Sequence, residues 1–222
     1  MTATLSGVRD PEVLMNFARQ LQYGPAELKE WGRDLFAQGE ALALEQFYAA
    51  THPAVAIAIL FKLTRRQVID FGHNKEAVAL WESFDAEKQD WLWSGSSYFW
   101  EYIGLIFEAY VRSGDAIRAE GFASEFLCDP ATPNVALPFI GIPFAYWLIQ
   151  HKRMTEGLAL CERLIQVSPN HSLCALAWYW MALAAYKHND TINANRCAGQ
   201  IRAAQGLGIG LLGELCLDAR AL

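Results

Sequence analysis

The sequence predicts an all-α chain built from stacked helical hairpins, and three observations carry that prediction. Strand signals are nearly absent: no run alternates cleanly, and no Asn-Gly or Asp-Gly pair joins two β-branched runs. Helix start and stop signals punctuate the chain from Asp10 onward. A small residue recurs at Ala77, Ala119, Gly157 and Ala194, 42, 38 and 37 residues apart, and self-similarity at roughly 20 to 50 residues marks stacked repeats.

Taken in order, Asp10-Pro11 reads as a cap followed by a first-turn proline, opening a helix to about Leu21. Gly24-Pro25 separates it from a second helix over Ala26 to Gln38. Gly39 leads into a third over Glu40 to Ala50, which Thr51-His52-Pro53 ends. These helices make a leading segment, residues 1–52. Four hairpins follow over residues 53–204. Their first helices run from about Ala54 to Phe71, Ser97 to Arg112, Phe139 to His151 and Leu173 to Lys187. Each turns at a short polar stretch ("GHNKE", "SGD", "KRMT", "HND") into a second helix.

Every second helix carries a small residue, another residue four later and an apolar one seven later: Ala77, Trp81, Phe84; Ala119, Ala123, Phe126; Gly157, Cys161, Leu164; Ala194, Ala198, Ile201. Such spacing lies along one helix stripe. The small side chain lets two helix axes approach closely. Asn74, Asp115, Thr155 and Asp190 stand where caps would satisfy the free N–H groups of the second helices. The last stretch, residues 205–222, offers Leu207, Ile209, Leu211, Leu212, Leu215 and Leu217. It reads as a closing helix, or as a surface through which copies of the chain assemble into a homo-oligomer.

Composition narrows the function. A chain of 222 residues that is 53% hydrophobic has the apolar content to build a core, as one helical domain over 1–222. The net charge of -6, with no block of like charges, disfavours a role resting on phosphate neutralisation, so no nucleic-acid partner is expected. The N-terminus lacks the basic stretch and apolar run of a secretory signal. Five widely spaced cysteines, Cys128, Cys161, Cys174, Cys197 and Cys216, form no CxxC pair and read as free thiols of a reduced, cytoplasmic protein. Residues 130–150 and 164–186 contain no charged side chain. Prolines and the "SPNHS" break mark them as enclosed helices rather than membrane spans.

No catalytic signature stands out. His52, His73, His151, His171 and His188 fall near helix ends without a second ligand in register, so neither a metal nor a cofactor is expected. Nucleotide-binding glycine motifs and the GxSxG elbow are absent. Asp85, Glu87 and Asp90, with Lys88 among them, read as a solvated link. In the run "DWLWSGSSYFWEY", Trp91, Trp93, Tyr98, Phe99, Trp100 and Tyr102 cannot share one face; most belong to the core, with one or two exposed for contact. An enzyme is therefore not expected. An aromatic small-ligand pocket is the lesser alternative.

The repeated hairpins resemble the tetratricopeptide repeat family over about residues 54–204. "GLALCERLIQVSPN" is similar to that family's second helix with its terminal Pro-Asn. "YVRSGDAIRAEGFASEF" matches its Tyr, Gly-Asp turn and Ala at Tyr110, Gly114, Asp115 and Ala119. Trp178 stands where its early aromatic lies. The spacing here exceeds the ~34 residues of that repeat, which calls for longer first helices or links. The resemblance implies a right-handed α-solenoid of about four helix-turn-helix repeats, with the first helices lining a concave, peptide-binding face. Carried over, that face comprises Lys62, Arg66, Glu101, Glu108, Arg112, Tyr146, Gln150, Tyr179 and Lys187. The resemblance thus implies an adaptor or scaffold that binds a protein or peptide partner.

Overall fold

The structure is a computed structural model and describes residues 7–95 and 98–204. Among them every regular element is helical: α1 (Pro11–Leu21), α2 (Ala26–Ala49), α3 (Pro53–Arg65) continued by a π turn (Arg66–Phe71), α4 (Asn74–Glu82), α5 (Ala86–Trp93), α6 (Tyr98–Ser113), α7 (Ala116–Cys128), α8 (Leu137–Gln150), α9 (Met154–Val167), α10 (Cys174–Lys187) and α11 (Thr191–Ala204). The expected closing helix over 205–222, with Cys216, lies outside the described residues. Two compact units form, one ending at Gly114 and the other beginning at Asp115.

In the first unit α1 packs along α2, α2 along α3, and α6 against both α3 and α4. Asp10 caps α1 as its sequence position implies, accepting from the backbone N–H groups of Glu12 and Val13 at 2.9 and 3.4 Å. The core joins Leu14, Met15 and Ala18 of α1 to Leu35, Phe36 and Ala43 of α2 and Leu63 of α3. Tyr102 is fully buried beside the Thr64 hydroxyl, and that burial pushes its phenol far above the ordinary range.

Two sequence expectations change here. Gly39 does not divide two helices, because α2 runs unbroken from Ala26 to Ala49. A side chain at Gly39 would place Cβ 2.8 Å from Met15 Cγ and 3.1 Å from the Pro11 carbonyl. Its glycine is therefore a contact point for α1, and that contact offsets a helix-interior cost of about 1 kcal/mol. The acidic cluster expected to be a solvated link is instead helix α5. Asp85 caps it by accepting from the Lys88 N–H at 2.8 Å, while Lys88 Nζ lies 3.9 Å from the Trp91 ring centre and 4.8 Å from that of Phe47. This inserted helix accounts for the longest of the repeat spacings.

In the second unit α8 pairs with α9, α10 packs on both α9 and α11, and α7 packs on α8. Ten of the fourteen residues of α8 are buried, among them Leu137, Ile140, Ile142, Phe144, Trp147 and Leu148. That enclosure explains why the stretch carries no charge. Among the described residues, no helix is long and apolar enough to cross a membrane. Arg153 ties α9 to α7 through Glu120 at 2.8 Å and closes on Glu156 at 2.7 Å.

The hairpin turns repeat in detail. Gly72, Gly114, Lys152 and Asn189 all take left-handed backbone, with φ of 70, 84, 64 and 59°. Each stands five residues before Ala77, Ala119, Gly157 or Ala194. In every case the small residue's N–H bonds the carbonyl four back, at His73, Asp115, Arg153 and Asp190. Asp115 and Asp190 cap with their side chains, accepting from Arg118 and Asn193 at 3.1 Å. Asn74 and Thr155 do not, since the boundary residues are His73 and Arg153, which make no side-chain cap bond.

Parallel order within each unit follows from the cross-helix contacts. Glu12 and Asn16 of α1 meet Lys62 and Arg66, while Phe61 and Arg65 of α3 face Tyr98 and Glu101 of α6. In the second unit Phe139 and Tyr146 of α8 meet His171 and Trp180, and Glu120 and Leu127 of α7 meet Arg153 and Arg163. Residue numbers rise together across every pair, so the helices within each pair run the same way.

Two stability outcomes follow. At Gly157 a Cβ would meet the Ala145 carbonyl at 2.8 Å and Ile149 Cγ1 at 2.7 Å, whereas at Gly121 it meets nothing within 4 Å. Gly157→Ala should therefore destabilise by about 1–3 kcal/mol, and Gly121→Ala should stabilise by up to ~1 kcal/mol, both read from urea midpoints. His171, part-buried against Phe139, accepts from the Leu173 N–H through Nδ1 at 3.3 Å, and burial holds its imidazole below the ordinary 6.5. Protonation is thus costlier folded than unfolded, so stability is full above pH ~6.5 and declines as pH falls below it. Between pH 7 and 5 the wild-type midpoint should drop more than that of His171→Asn; equal drops would refute the assignment.

Candidate interaction face

On α1, α3 and α6 the residues one and two turns apart form a polar face across the first unit. Lys62 Nζ pairs with Glu12 at 2.6 Å. Arg66 donates to Asp70 at 2.7 Å and to the Asn16 side-chain oxygen. Arg112 pairs with Glu108 at 2.5 Å and donates to the Val68 carbonyl of the π turn at 3.2 Å. The π turn is held from α2 as well, where Gln67 Nε2 donates to Glu40 and Phe71 stacks on Phe36 at 4.0 Å.

Glu101 differs from the other carboxylates of this face. It is half-buried and makes no ion pair among the described residues. Burial raises its pKa above the ordinary 4.5, opposed by the field of Arg65. One turn before it, Tyr98 stacks on Phe61 with ring centres 5.5 Å apart, and Tyr98 remains 45% exposed. Phe99, Trp100 and Tyr102 are core residues, Trp91 and Trp93 are half-buried, and Tyr98 is the exposed member of that run.

The structure therefore brings Lys62, Arg66, Glu101, Glu108 and Arg112 together in one unit. Of the four in the second unit, Tyr146 stacks on Trp180 at 5.3 Å, and the Gln150 Nε2 is withdrawn from solvent without a hydrogen-bond partner. Tyr179 is half-buried and Lys187 is exposed at the end of α10. Sequence reasoning missed Glu12, Asn16, Phe61, Arg65 and Asp70. The first two escaped because α1 was set apart from the repeats, although their four-residue spacing on a capped helix was visible.

Several other reactive groups are built into the structure. Burial pushes the Cys161 thiol up to about 12 and that of Cys174 to about 11, which leaves both un-ionised. His151 bonds the Trp147 carbonyl at 2.8 Å at the end of α8. His52 instead begins a helix, accepting from the Ala54 N–H at 3.3 Å. Among the described residues no three His, Cys, Asp or Glu side chains converge as a metal site would require.

Comparison with protein-family models, curated proteins and solved structures gives no significant match for this chain. The resemblance to tetratricopeptide repeats accordingly rests on the residues that carry it.

Glu101 makes a measurable prediction. Its pKa is raised in the fold, so the stability tied to its protonated form is present below the ordinary 4.5 and is lost as pH rises through the folded value. Glu101→Gln should be more stable than the wild type at pH 7, with the difference shrinking towards pH 4. A variant less stable at pH 7 would contradict this.

Proposed function

We propose that this chain is a non-catalytic interaction module, an adaptor that takes a peptide segment of a partner protein on the first-helix face. The observation that carries the reading is the parallel order of α1, α3 and α6 with polar side chains aligned across all three. The left-handed turn recurring five residues before each small residue supports repeated, tetratricopeptide-like hairpins. Function is inferred from this fold by analogy, so the site chemistry decides what binds.

Four cations and four carboxylates line the face: Lys62, Arg65, Arg66 and Arg112 against Glu12, Asp70, Glu101 and Glu108. That balance opposes a clamp for a free carboxylate terminus, because Lys62, Arg66 and Arg112 already have acidic neighbours. A segment with apolar side chains and both signs of charge suits it better.

The test is to pan a random dodecapeptide phage library on the full chain and measure the retained peptides by fluorescence anisotropy. Lys62→Ala/Arg112→Ala should weaken them about tenfold. The exposed ion pairs contribute under ~1 kcal/mol each and the Arg112 bond to the Val68 carbonyl about 1 kcal/mol more, so melting falls modestly and the variant stays folded. No enrichment, or unchanged affinity in the double variant, would overturn the reading.

A further inference from the structure

We propose that Glu101 and the Phe61–Tyr98 ring pair form the subsite for a basic side chain, lysine or arginine, of the bound peptide. The inference rests on the peptide-face reading above and adds the chemistry of one ligand residue.

Charge complementarity carries it. Glu12, Asp70 and Glu108 each have a cation within 2.7 Å, so a ligand must break an existing pair to use them. Glu101 does not face that competition at contact distance, and its partial burial makes any hydrogen bond it accepts stronger than one on open surface. Tyr98 lies three residues before it on the same helix face, which places an aromatic surface beside the carboxylate. A lysine or arginine satisfies both at once: the methylene stem covers a ring while the cationic head reaches the carboxylate. The ring face adds a further attraction for the cation.

Arg65 is the internal competitor. It is exposed, makes no ion pair among the described residues, and its field already lowers the Glu101 pKa. A ligand cation therefore enters against the repulsion of Arg65, whose long side chain can swing into solvent. The two residues have opposite signs of effect, which a generic disruption of the face would not produce.

The probe is the set of dodecapeptides retained by the full chain. Retained peptides should share a lysine or arginine at one fixed position. Glu101→Gln should weaken them about tenfold, and Arg65→Ala should tighten them by about twofold to threefold. Circular dichroism and melting of each variant establish that it is folded. Should retained peptides be acidic or uncharged, or Arg65→Ala weaken binding, the basic subsite is overturned while the peptide face stands. No retained peptide at all overturns both.

Discussion

Close packing at small residues near the start of the second helices, at Gly157 and at the fully buried Ala77 and Ala119, is the constraint on which the rest of the architecture depends. Gly157 shows it most clearly, because the Ala145 carbonyl occupies the space where a Cβ would sit. The chain reaches that contact by reversing through a left-handed residue five positions earlier. Lys152 holds this conformation without being glycine, at a cost of roughly 1–2 kcal/mol, whereas Asn189 belongs to a residue type that enters it readily. Such strain persists only where the surroundings over-determine the geometry. The cross-helix contacts, from Arg153 to Glu120 and from Tyr146 to Trp180, are what fix it in the second unit.

Much of this was legible because hairpin turns and helix stripes are local. Asp10-Pro11 caps α1 where it should, and the four small residues occupy one repeated position. What escaped depends on neighbours distant in sequence. Gly39 looks like a breaker until α1 is laid across it, when the missing side chain becomes the reason for the residue. Helix α5 has little apolar periodicity, and Lys88 anchors it over two rings from different helices. The π turn at Arg66–Phe71 is specified by Glu40, Arg112 and Phe36, none of them close in sequence.

The same non-locality governs the interaction face. Its cations could be placed on first helices from the repeat pattern, but their partners could not. Once Lys62, Arg66 and Arg112 are paired, they no longer offer net charge to a ligand. On the proposed reading, exchanging one ion pair for another contributes modest affinity, about tenfold for Lys62 and Arg112 together, so these residues shape specificity and encounter as well as binding strength. The proposed partner would then draw the rest of its affinity from aromatic and apolar surface, of which the Phe61–Tyr98 pair is part.

Glu101 breaks the local rule the other charges obey, because it is half-buried without a contacting cation and the fold bears the cost. Natural chains tolerate such violations where a function requires them and compensate elsewhere in the structure. Packing does not explain this one: the neighbouring core positions Phe99, Trp100 and Tyr102 are already filled, and Glu101 stands one turn along α6 from the exposed Tyr98 ring. On the proposed subsite, this sheltered carboxylate near Tyr98 receives a cation that the free protein does not place in contact with it. Arg65 lies near enough to temper the cost but makes no ion pair with the carboxylate, and it is this remaining deficit that the proposed basic side chain would meet.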